Sequence, residues 1–417
     1  MKKMLSLLLA LILMLSLTAC GGGTDGDSPS GGSTGTPAGD SAGDSAGSPG
    51  GENVTAPKIV NDKGEEVGGY KIGFFYLPES DGLSAQFHRA LEYCAKLTNC
   101  EIAYYDMMTF TADEISTAVE TLVSVGCDGI IMISGTSPAL YEYMNEQGVY
   151  YAGLTRSYNE EVANVVDNSE YNCGWLNEAG GANFEMGYGL TKVLADNGCK
   201  NIAYLAQAPG SEIGDDRVRG IETACEDLGI NIVTSYRGSD YAAGASDILA
   251  TRGAELDGFV SNSNGDIGIA AINMAGYTDT IQYAQVDAPS ASDTESYFET
   301  GNLAATTSGN NVYVVQLYMQ LFNAISGADR LFNEGDHIVP MIPSFIVTDA
   351  QGWRDSNQYI GGDVPGLVPE EVLALNSWYA PDTTVEEKEA LMESYTLSDY
   401  WNLDAVVARV KAYLGEA

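Results

Sequence analysis

Four polar side chains, Arg156, Arg217, Asn264 and Asp287, follow predicted strands, where they could meet a ligand. An arginine guanidinium presents a planar fork of hydrogen-bond donors, and a carboxylate accepts hydrogen bonds from hydroxyl groups. Each hydrogen bond to a charged group contributes about 1.5–3 kcal/mol, so three or four of them support roughly micromolar binding. These residue types therefore predict a site for a small polar molecule.

Residue patterns that would support catalysis are scarce. The chain has two histidines, and His88 falls in the middle of a predicted helix, away from any strand end. The sequence G-D-S-A-G occurs twice within 39–47 and matches the serine-hydrolase pattern G-x-S-x-G, but it lacks the strand and helix that this motif requires. Carboxylates are abundant, which in so acidic a chain is weak evidence for a glycosidase pair. We therefore predict no catalytic residues, no metal ligands and no cofactor.

Two segments of the chain follow one plan, in which an apolar run, a loop and a helix-like stretch succeed each other. The first is "KIGFFYLPESDGLSAQFHRALEYCA" at 71–95, and the second, 130 positions later, is "NIAYLAQAPGSEIGDDRVRGIETAC" at 201–225. Further matches follow at nearly the same offset, with 128–134 over 257–263 and 150–155 over 282–287. Three matches in order predict two similar βα lobes that face each other.

Apolar runs that alternate with helical segments define the expected elements. The first lobe has the predicted strands "IGFFYL", "CEIAYY", "GIIMIS" and "VYYAGL", each buried on both faces, and a helix at 113–126. A long helical segment after Asn172 leads to "NIAYLAQ", "NIVTSY", "DGFVSNS" and "TIQYAQV", with helices headed by Asp215, Ala243 and Asp266. Such alternation implies parallel sheets, which bind ligands at the carboxyl ends of their strands. Two such edges that face each other would form a clamp.

Length and charge restrict the class of partner. The 417 residues suffice for two domains with a substantial core. The formal net charge of −39, from 58 acidic and 19 basic residues, repels phosphate backbones, so we expect no nucleic-acid partner. Six cysteines besides Cys20 show no C-x-x-C spacing, and we expect small buried thiols.

The N-terminus has the layout of a secretory signal. Lys2 and Lys3 precede an apolar run at 4–17 that is short for a membrane span. The "LTAC" that ends at Cys20 resembles the lipobox of bacterial lipoproteins, whose cysteine carries the lipid anchor. An ordinary signal peptide with an incidental cysteine is the alternative. We expect residues 1–20 to be the signal peptide and the Gly-, Ser- and Asp-rich residues 21–55 to be a disordered linker.

The lipobox, the linker and the doubled βα series together resemble the type I solute-binding lipoproteins of ABC transporters, with the ribose-binding protein and its sugar-binding relatives nearest. The resemblance covers about residues 70–348. Six positions match the ligand-binding residues of that family: Thr155, Arg156, Arg217, Tyr241, Asn264 and Asp287. Arg217 opens a second-lobe helix in the family's R-x-x-G pattern, and Tyr241 matches an aromatic residue that stacks on the sugar.

The first-lobe half of this site departs from the family. Where the family's first loop commonly supplies an amide and two stacking rings, this chain has D-G-L-S at 81–84, so Asp81 and Leu83 are the expected contacts. Thr155 replaces the aspartate of a "DR" pair, and Gly265 replaces the aspartate that follows Asn264. These departures leave the identity of the ligand open.

The resemblance implies an α/β fold of two Rossmann-like lobes with parallel sheets joined by a hinge, the type I periplasmic binding protein fold, with a C-terminal helical extension. We expect the first lobe to comprise 70–170 and about 305–341, and the second lobe 171–304 and about 342–417.

The C-terminal tail should lie on the second lobe near the hinge, with its tryptophans in packing roles. Arg219 should lie on a solvated helix face, and Asp266 fits a helix cap as well as a ligand contact.

The implied function is capture of a small polar ligand, a monosaccharide or similar polyol, and its delivery to the membrane permease of an ABC importer. We expect a monomer on the outer face of the bacterial cytoplasmic membrane that touches the membrane through its lipid anchor alone. Two alternatives remain open. The lipoprotein could present its closed form to a membrane receptor or kinase, or the ligand could be a nucleoside or an amino-acid derivative.

Overall fold

The computed structural model describes residues 59–61, 63–133, 135, 137–154, 160–176, 181–263, 265–287, 291–332 and 337–416. Within these residues the chain forms two six-stranded sheets flanked by helices. The expected signal peptide with Cys20, the expected linker, and the site residues Thr155, Arg156 and Asn264 lie outside the described residues.

The first sheet is parallel throughout. Its strands are β1 (Lys71–Tyr76), β2 (Glu101–Asp106), β3 (Gly129–Met132), β4 (Tyr150–Gly153), β5 (Asn172–Leu176) and β11 (Ile338–Val339). They lie in the order β11-β5-β4-β3-β1-β2. The helices that follow the first four strands are α1 (Gly82–Thr98), α2 (Ala112–Ser124), α3 (Pro138–Gln147) and α4 (Glu160–Val166). The expectation that β2 is buried on both faces is wrong, because β2 ends the sheet and stays half-buried.

The second sheet repeats this arrangement. Its strands are β6 (Asn201–Ala206), β7 (Asn231–Arg237), β8 (Gly258–Ser261), β9 (Gln282–Gln285), β10 (Leu303–Ser308) and β12 (Phe345–Val347). They lie in the order β12-β10-β9-β8-β6-β7, and only β12 is antiparallel to its neighbour. Its helices are α5 (Ala182–Asp196), α6 (Glu212–Leu228), α7 (Tyr241–Arg252), α8 (Gly265–Ala275) and α9 (Ala291–Thr300). The order β10-β9-β8-β6-β7 reproduces β5-β4-β3-β1-β2, which confirms the two similar lobes.

Second-lobe helices begin earlier than the sequence predicted, because polar residues ahead of them cap their first turns. Ser211 accepts a hydrogen bond from the backbone of Gly214 at 3.3 Å, and Asp240 accepts one from Ala243 at 3.0 Å. The predicted heads, at 215 and 243, therefore fall inside α6 and α7.

The chain passes between the lobes at three places, of which the first two lie further along the chain than the sequence predicted, while the third falls at the predicted boundary near residue 342. It crosses between β5 and α5, between β10 and α10 (Val312–Ser326), and between β11 and β12. Residues 172–176, expected to lead into a helix of the second lobe, instead form β5 of the first sheet. Residues 305–308, assigned to the first lobe, belong to β10 of the second sheet. Hydrogen bonding along the sheet decides both assignments.

The C-terminal tail contains α11 (Ala350–Tyr359), α12 (Pro369–Leu373), α13 (Val385–Ser394) and α14 (Leu403–Leu414). Beyond α11 the tail packs mainly on the first lobe, which corrects its expected place on the second. Apolar residues such as Leu367 and Val372 share one core cluster with α1 and α10. The Tyr93 hydroxyl of α1 donates to the carbonyl oxygen of Leu367 at 2.9 Å, and Asn323 of α10 donates to that of Leu375 at 3.0 Å.

The tail leaves α10 buried almost all round, since the first sheet covers one side of this helix and the tail covers another. Trp401, expected in a packing role, stacks on Phe345 with ring centroids 5.1 Å apart, and its indole donates to the carbonyl oxygen of Pro343 at 2.8 Å.

The six described cysteines are free thiols, five of them buried, as expected. Among the described residues, no helix is both long enough and apolar enough to cross a membrane.

Candidate binding site

A cavity of about 300 Å³ lies between the lobes, where the carboxyl ends of the two sheets meet. The start of α1, the loops after β9 and β10, and the helix α11 form its walls. Its lining residues are Gly82, Leu83, Ala85, Gln86, Arg89, Asp287, Thr307, Ser308, Gly309, Asn310, Trp353 and Asn357. Ligands of open α/β sheets bind at this edge, and a cavity of this size suits a small molecule.

Asp287, predicted as a ligand contact, lines the cavity just after β9. Its backbone lies in the left-handed region with a φ of 65°, which aspartate tolerates better than most residues. The backbone N–H of Asp287 donates to Thr307 Oγ1 at 2.9 Å, and Asn310 Nδ2 donates to Asp287 Oδ1 at 2.6 Å. Burial raises the pKa of this carboxyl, while the charge of Arg217 and the hydrogen bond from Asn310 oppose the rise. The carboxyl group is therefore fixed in place at the wall of the cavity.

Arg217 lies in α6 and is held from two sides. Its Nε donates to Asn183 Oδ1 at 3.0 Å, and its Nη1 donates to the carbonyl oxygen of Asn262 at 3.0 Å. Gly220 allows this placement, because a Cβ there would lie 2.1 Å from the backbone oxygen of Phe184 in the adjoining helix α5. The glycine of the R-x-x-G pattern thus serves close packing of α5 against α6, while the arginine is directed towards the loops.

Tyr76, at the end of β1, was missed at the level of sequence. Burial raises the pKa of its hydroxyl, the charges of Asp287 and Asp81 raise it further, and the charge of Arg217 lowers it. The hydroxyl of a first-lobe strand therefore lies within the electrostatic reach of both second-lobe site residues. Tyr76 also contacts Phe87 with ring centroids 5.1 Å apart, which fixes its position beside α1, although it is not among the residues that line the cavity.

The predicted first-lobe contacts have different places. Asp81 is the N-terminal cap of α1, and its Oδ1 accepts hydrogen bonds from the backbone N–H groups of Leu83 at 3.1 Å and Ser84 at 3.0 Å. Leu83 lines the cavity, to which it adds an apolar surface. The structure thus gives Asp81 a capping role and leaves Leu83 at the site.

In the second lobe, Tyr241 begins α7 and is buried in the core cluster of that lobe, with 6% of its surface exposed. Neither Tyr241 nor Arg217 is among the residues that line the cavity. Burial raises the pKa of the Tyr241 hydroxyl, and the charges of Arg217 and Arg237 oppose this. A contact of Tyr241 with the ligand stays a prediction.

Arg219 lies on an exposed face of α6 and pairs with Asp216 at 2.6 Å, as expected.

Several residues that line the cavity were not predicted from the sequence. Gln86 and Arg89 lie three and six positions after Leu83 on one face of α1, and that helical spacing was a usable signal. Trp353 and Asn357 come from α11, in the C-terminal tail, where the aromatic residues were expected only to pack. No local pattern could show that this helix reaches the cavity, because its contact with Gln86 spans 271 positions.

Two α/β lobes with a polar cavity between the ends of their parallel strands define a two-lobed architecture. The chain has the type I periplasmic binding protein fold. It is similar to a solute-binding protein of an ABC transporter from Actinobacillus succinogenes 130z, solved with bound D-allose, at 17% identity and a TM-score of 0.56. The match covers 69% of this chain and 99% of that one.

Two further solved structures are similar in the same way. A substrate-binding protein of a sugar ABC transport system from Bordetella parapertussis 12822 shares 16% identity at a TM-score of 0.58, over 75% of this chain and 97% of that one. The periplasmic binding component of the arabinose ABC transporter from Shewanella sp. ANA-3, bound to L-arabinofuranose, shares 17% identity at a TM-score of 0.54, over 69% and 96%. No family model and no curated protein matches the sequence.

Proposed function

We propose that the protein captures a monosaccharide or a similar small polyol between its two lobes. The observation that carries this proposal is the cavity at the facing strand ends, to which both lobes contribute hydrogen-bonding side chains. Asp287 accepts hydrogen bonds from hydroxyl groups, whereas Asn310 and Gln86 both donate and accept. The solved structures of similar fold, which are described as sugar-binding components of ABC transporters, support the same class of ligand.

Closure of the lobes follows from the distribution of these partners. A polyol that is bound to Asp287 alone satisfies some of its hydroxyl groups, and only the closed form adds the partners on α1. A ligand shifts an equilibrium towards the state that binds it better, so it stabilises the closed form. Lobe closure is the event that a permease would recognise, and no step of covalent chemistry is part of the proposal.

The test is a thermal-shift screen of the full chain, purified in detergent, against sugars, polyols, nucleosides and amino acids. A ligand at 100 times its Kd should stabilise the folded protein by about 2.7 kcal/mol. Calorimetry on the best compound should then show at least about tenfold weaker binding for Asp287→Ala, since a hydrogen bond to a charged group is lost. Asp279→Ala, which removes an exposed aspartate of the same lobe, is the matched control. A screen in which only nucleosides or amino acids bind would contradict the proposal.

We also propose that the chain is a monomeric lipoprotein on the outer face of the cytoplasmic membrane that delivers its ligand to an ABC permease. The sequence around Cys20 supports the anchor, because two acyl chains on one cysteine give stable membrane attachment. Metabolic labelling with a radioactive fatty acid should mark the wild-type chain and leave Cys20→Ser unlabelled. Equal labelling of the two chains would contradict the anchor.

A further inference from the structure

Arg89, on the cavity-facing side of α1, is one of three described arginines that form no ion pair with a described carboxylate. The other two, Arg217 and Arg330, each donate from two guanidinium nitrogens to neighbouring oxygens, whereas Arg89 donates from Nε alone. Its Nε donates to the carbonyl oxygen of Gly361 at 2.6 Å, and no described carboxylate forms an ion pair with it. Five other described arginines do form such pairs: Arg219 with Asp216, Arg237 with Asp215, Arg252 with Glu255, Arg354 with Glu295, and Arg409 with Glu371. In a protein with 58 acidic and 19 basic residues, carboxylates are the most abundant available partners. Arg89 therefore keeps donors of its guanidinium for something else.

The place of Arg89 shows where those donors can act. Gly82, Ala85, Gln86 and Arg89 line the cavity along one face of α1, so the cavity extends about 10 Å along this helix at 1.5 Å per residue. The first turn of α1 is near Asp287, whose pKa responds to the charge of Asp81 at the start of the same helix. Arg89 lies about two turns further along α1, at the far end of the stretch of this helix that lines the cavity. Arg89 also borders an outer groove that contains Glu79, Glu92 and Asp363, although none of these pairs with it.

The C-terminal tail builds this part of the cavity together with α1. Gly361 holds the Arg89 guanidinium by the hydrogen bond from Nε, which leaves the two terminal nitrogens as a fork. Asn357 accepts from Gln86 Nε2 through its Oδ1 at 3.5 Å, so the Nδ2 group of Asn357 remains a donor. Arg89 and Asn357 therefore gather donors in this part of the cavity, while Asp287 supplies an acceptor from the second lobe.

The tail helix α11 is fixed on both lobes, so this part of the cavity has a defined geometry. Ser356 forms a hydrogen bond with Ser308 at 2.5 Å, and Arg354 pairs with Glu295 of α9. Next to α11, the carbonyl oxygen of Ile360 accepts from Asn311 at 2.6 Å. Positions 357 and 361 are thereby held against α1.

We infer that the ligand is an anionic polyol, whose carboxylate or phosphate is received by Arg89 and Asn357 while its hydroxyl groups meet Asp287 and Asn310. A guanidinium fork matches the two oxygens of such a group, and hydrogen bonds between charged partners are about twice as strong as neutral ones. The inference rests on the proposed function and narrows it from neutral sugars to sugar acids or sugar phosphates.

The test compares matched ligands on the full chain in detergent. Calorimetry with glucose, glucuronate and glucose 6-phosphate, and with the corresponding galactose series, should show that an anionic member binds at least about tenfold tighter than its neutral parent. Added salt should reduce this preference, because it screens charge. Whether the uronate or the phosphate binds more tightly identifies the group. Inorganic phosphate alone should bind far more weakly, and equal binding would overturn the inference.

Variants of Arg89 separate charge recognition from folding. Arg89→Gln should weaken binding of the anionic member at least about tenfold more than binding of the neutral parent, and Arg89→Lys should restore part of the preference. Arg252→Gln, at an exposed arginine of the second lobe, should leave the preference unchanged. The thermal midpoint of each variant without ligand reports its folding. If Arg89→Gln does not fold, the charge preference and salt response of the wild type decide the question.

The outcomes for the two proposals differ. Equal or tighter binding of the neutral sugars by the wild type would overturn the anionic ligand and leave the proposed function intact. Failure of every neutral and anionic sugar to bind would overturn the proposed function itself.

Discussion

On the second-lobe side of the cleft, Arg217 and Asp287 are held by Asn183, Asn262 and Asn310 within distances of 2.6–3.0 Å. On the first-lobe side, Asp81 gives its carboxylate to the cap of α1, and Leu83 in the first turn of α1 gives an apolar side chain to the cavity. The polar contribution of that side comes one or two turns later, from Gln86 and Arg89, and from the tail helix α11. A duplicated fold can therefore keep its topology while the two halves of its site diverge.

The largest effect of a substitution on ligand affinity is expected at Arg217, on the second-lobe side of the cleft. Removal of this side chain in Arg217→Ala takes away a charge that acts on Asp287 and Tyr76. We expect affinity for the best ligand to fall at least about tenfold by calorimetry, with partial recovery in Arg217→Lys. Arg219→Ala, two positions along the same helix, removes an exposed arginine and should change affinity by less than about twofold. Similar losses in both variants would mean that the net charge of α6 matters rather than the placement of Arg217.

The pH dependence of binding distinguishes the two sides of the cleft further, since Asp287 is a half-buried carboxyl that lines the cavity. Its raised pKa means that protonation begins at a higher pH than the value of about 3.9 for a free aspartate. The affinity for a neutral sugar should therefore fall as the pH decreases through this raised pKa, because a protonated carboxyl is a poorer acceptor. Calorimetry in a series of buffers measures this, and Asp287→Asn should lose the dependence.

The same group predicts the opposite trend for stability without ligand. A carboxyl whose pKa is raised in the folded state binds protons more readily there, so its contribution to the free energy of unfolding increases as the pH falls through that pKa. The difference in unfolding free energy between wild type and Asp287→Asn should follow this trend. A difference that decreases on acidification would contradict the raised pKa.

The smallest effect is expected at Asp81, on the first-lobe side. Loss of the N-terminal cap in Asp81→Ala should reduce the free energy of unfolding by about 1 kcal/mol, measured by denaturant titration, and Asp81→Ser should keep most of it. Affinity should change less than in Arg217→Ala. A tenfold loss of affinity without loss of stability would instead make Asp81 a direct ligand contact, as the sequence resemblance implied.

Much of the fold was accessible from the sequence because it is encoded by local periodicity. The offset of 130 positions between Lys71 and Asn201 carries over to the helices, since α1 begins at Gly82 and α6 begins at Glu212. The place of Asp287 was also accessible, because it follows a strand of the predicted sheet and lines the cavity, whereas its contact and that of Arg217 with a ligand stay predictions. The carboxyl ends of parallel strands meet at one edge of the sheet, so a residue that directly follows a predicted strand can be placed at that edge from the sequence.

The sequence by itself determined the doubled α/β pattern, the acidic composition and the place of Asp287 at a strand end, because each can be read from residues a few positions apart. Tertiary structure decided which lobe holds β5 and β10, that the tail packs on the first lobe, and that the tail helix α11 reaches the cavity. Those outcomes depend on pairs of surfaces far apart in the chain, such as Gln86 and Asn357. A periodic apolar face shows that a segment is buried, but the partner that buries it is chosen by the packing of the whole molecule.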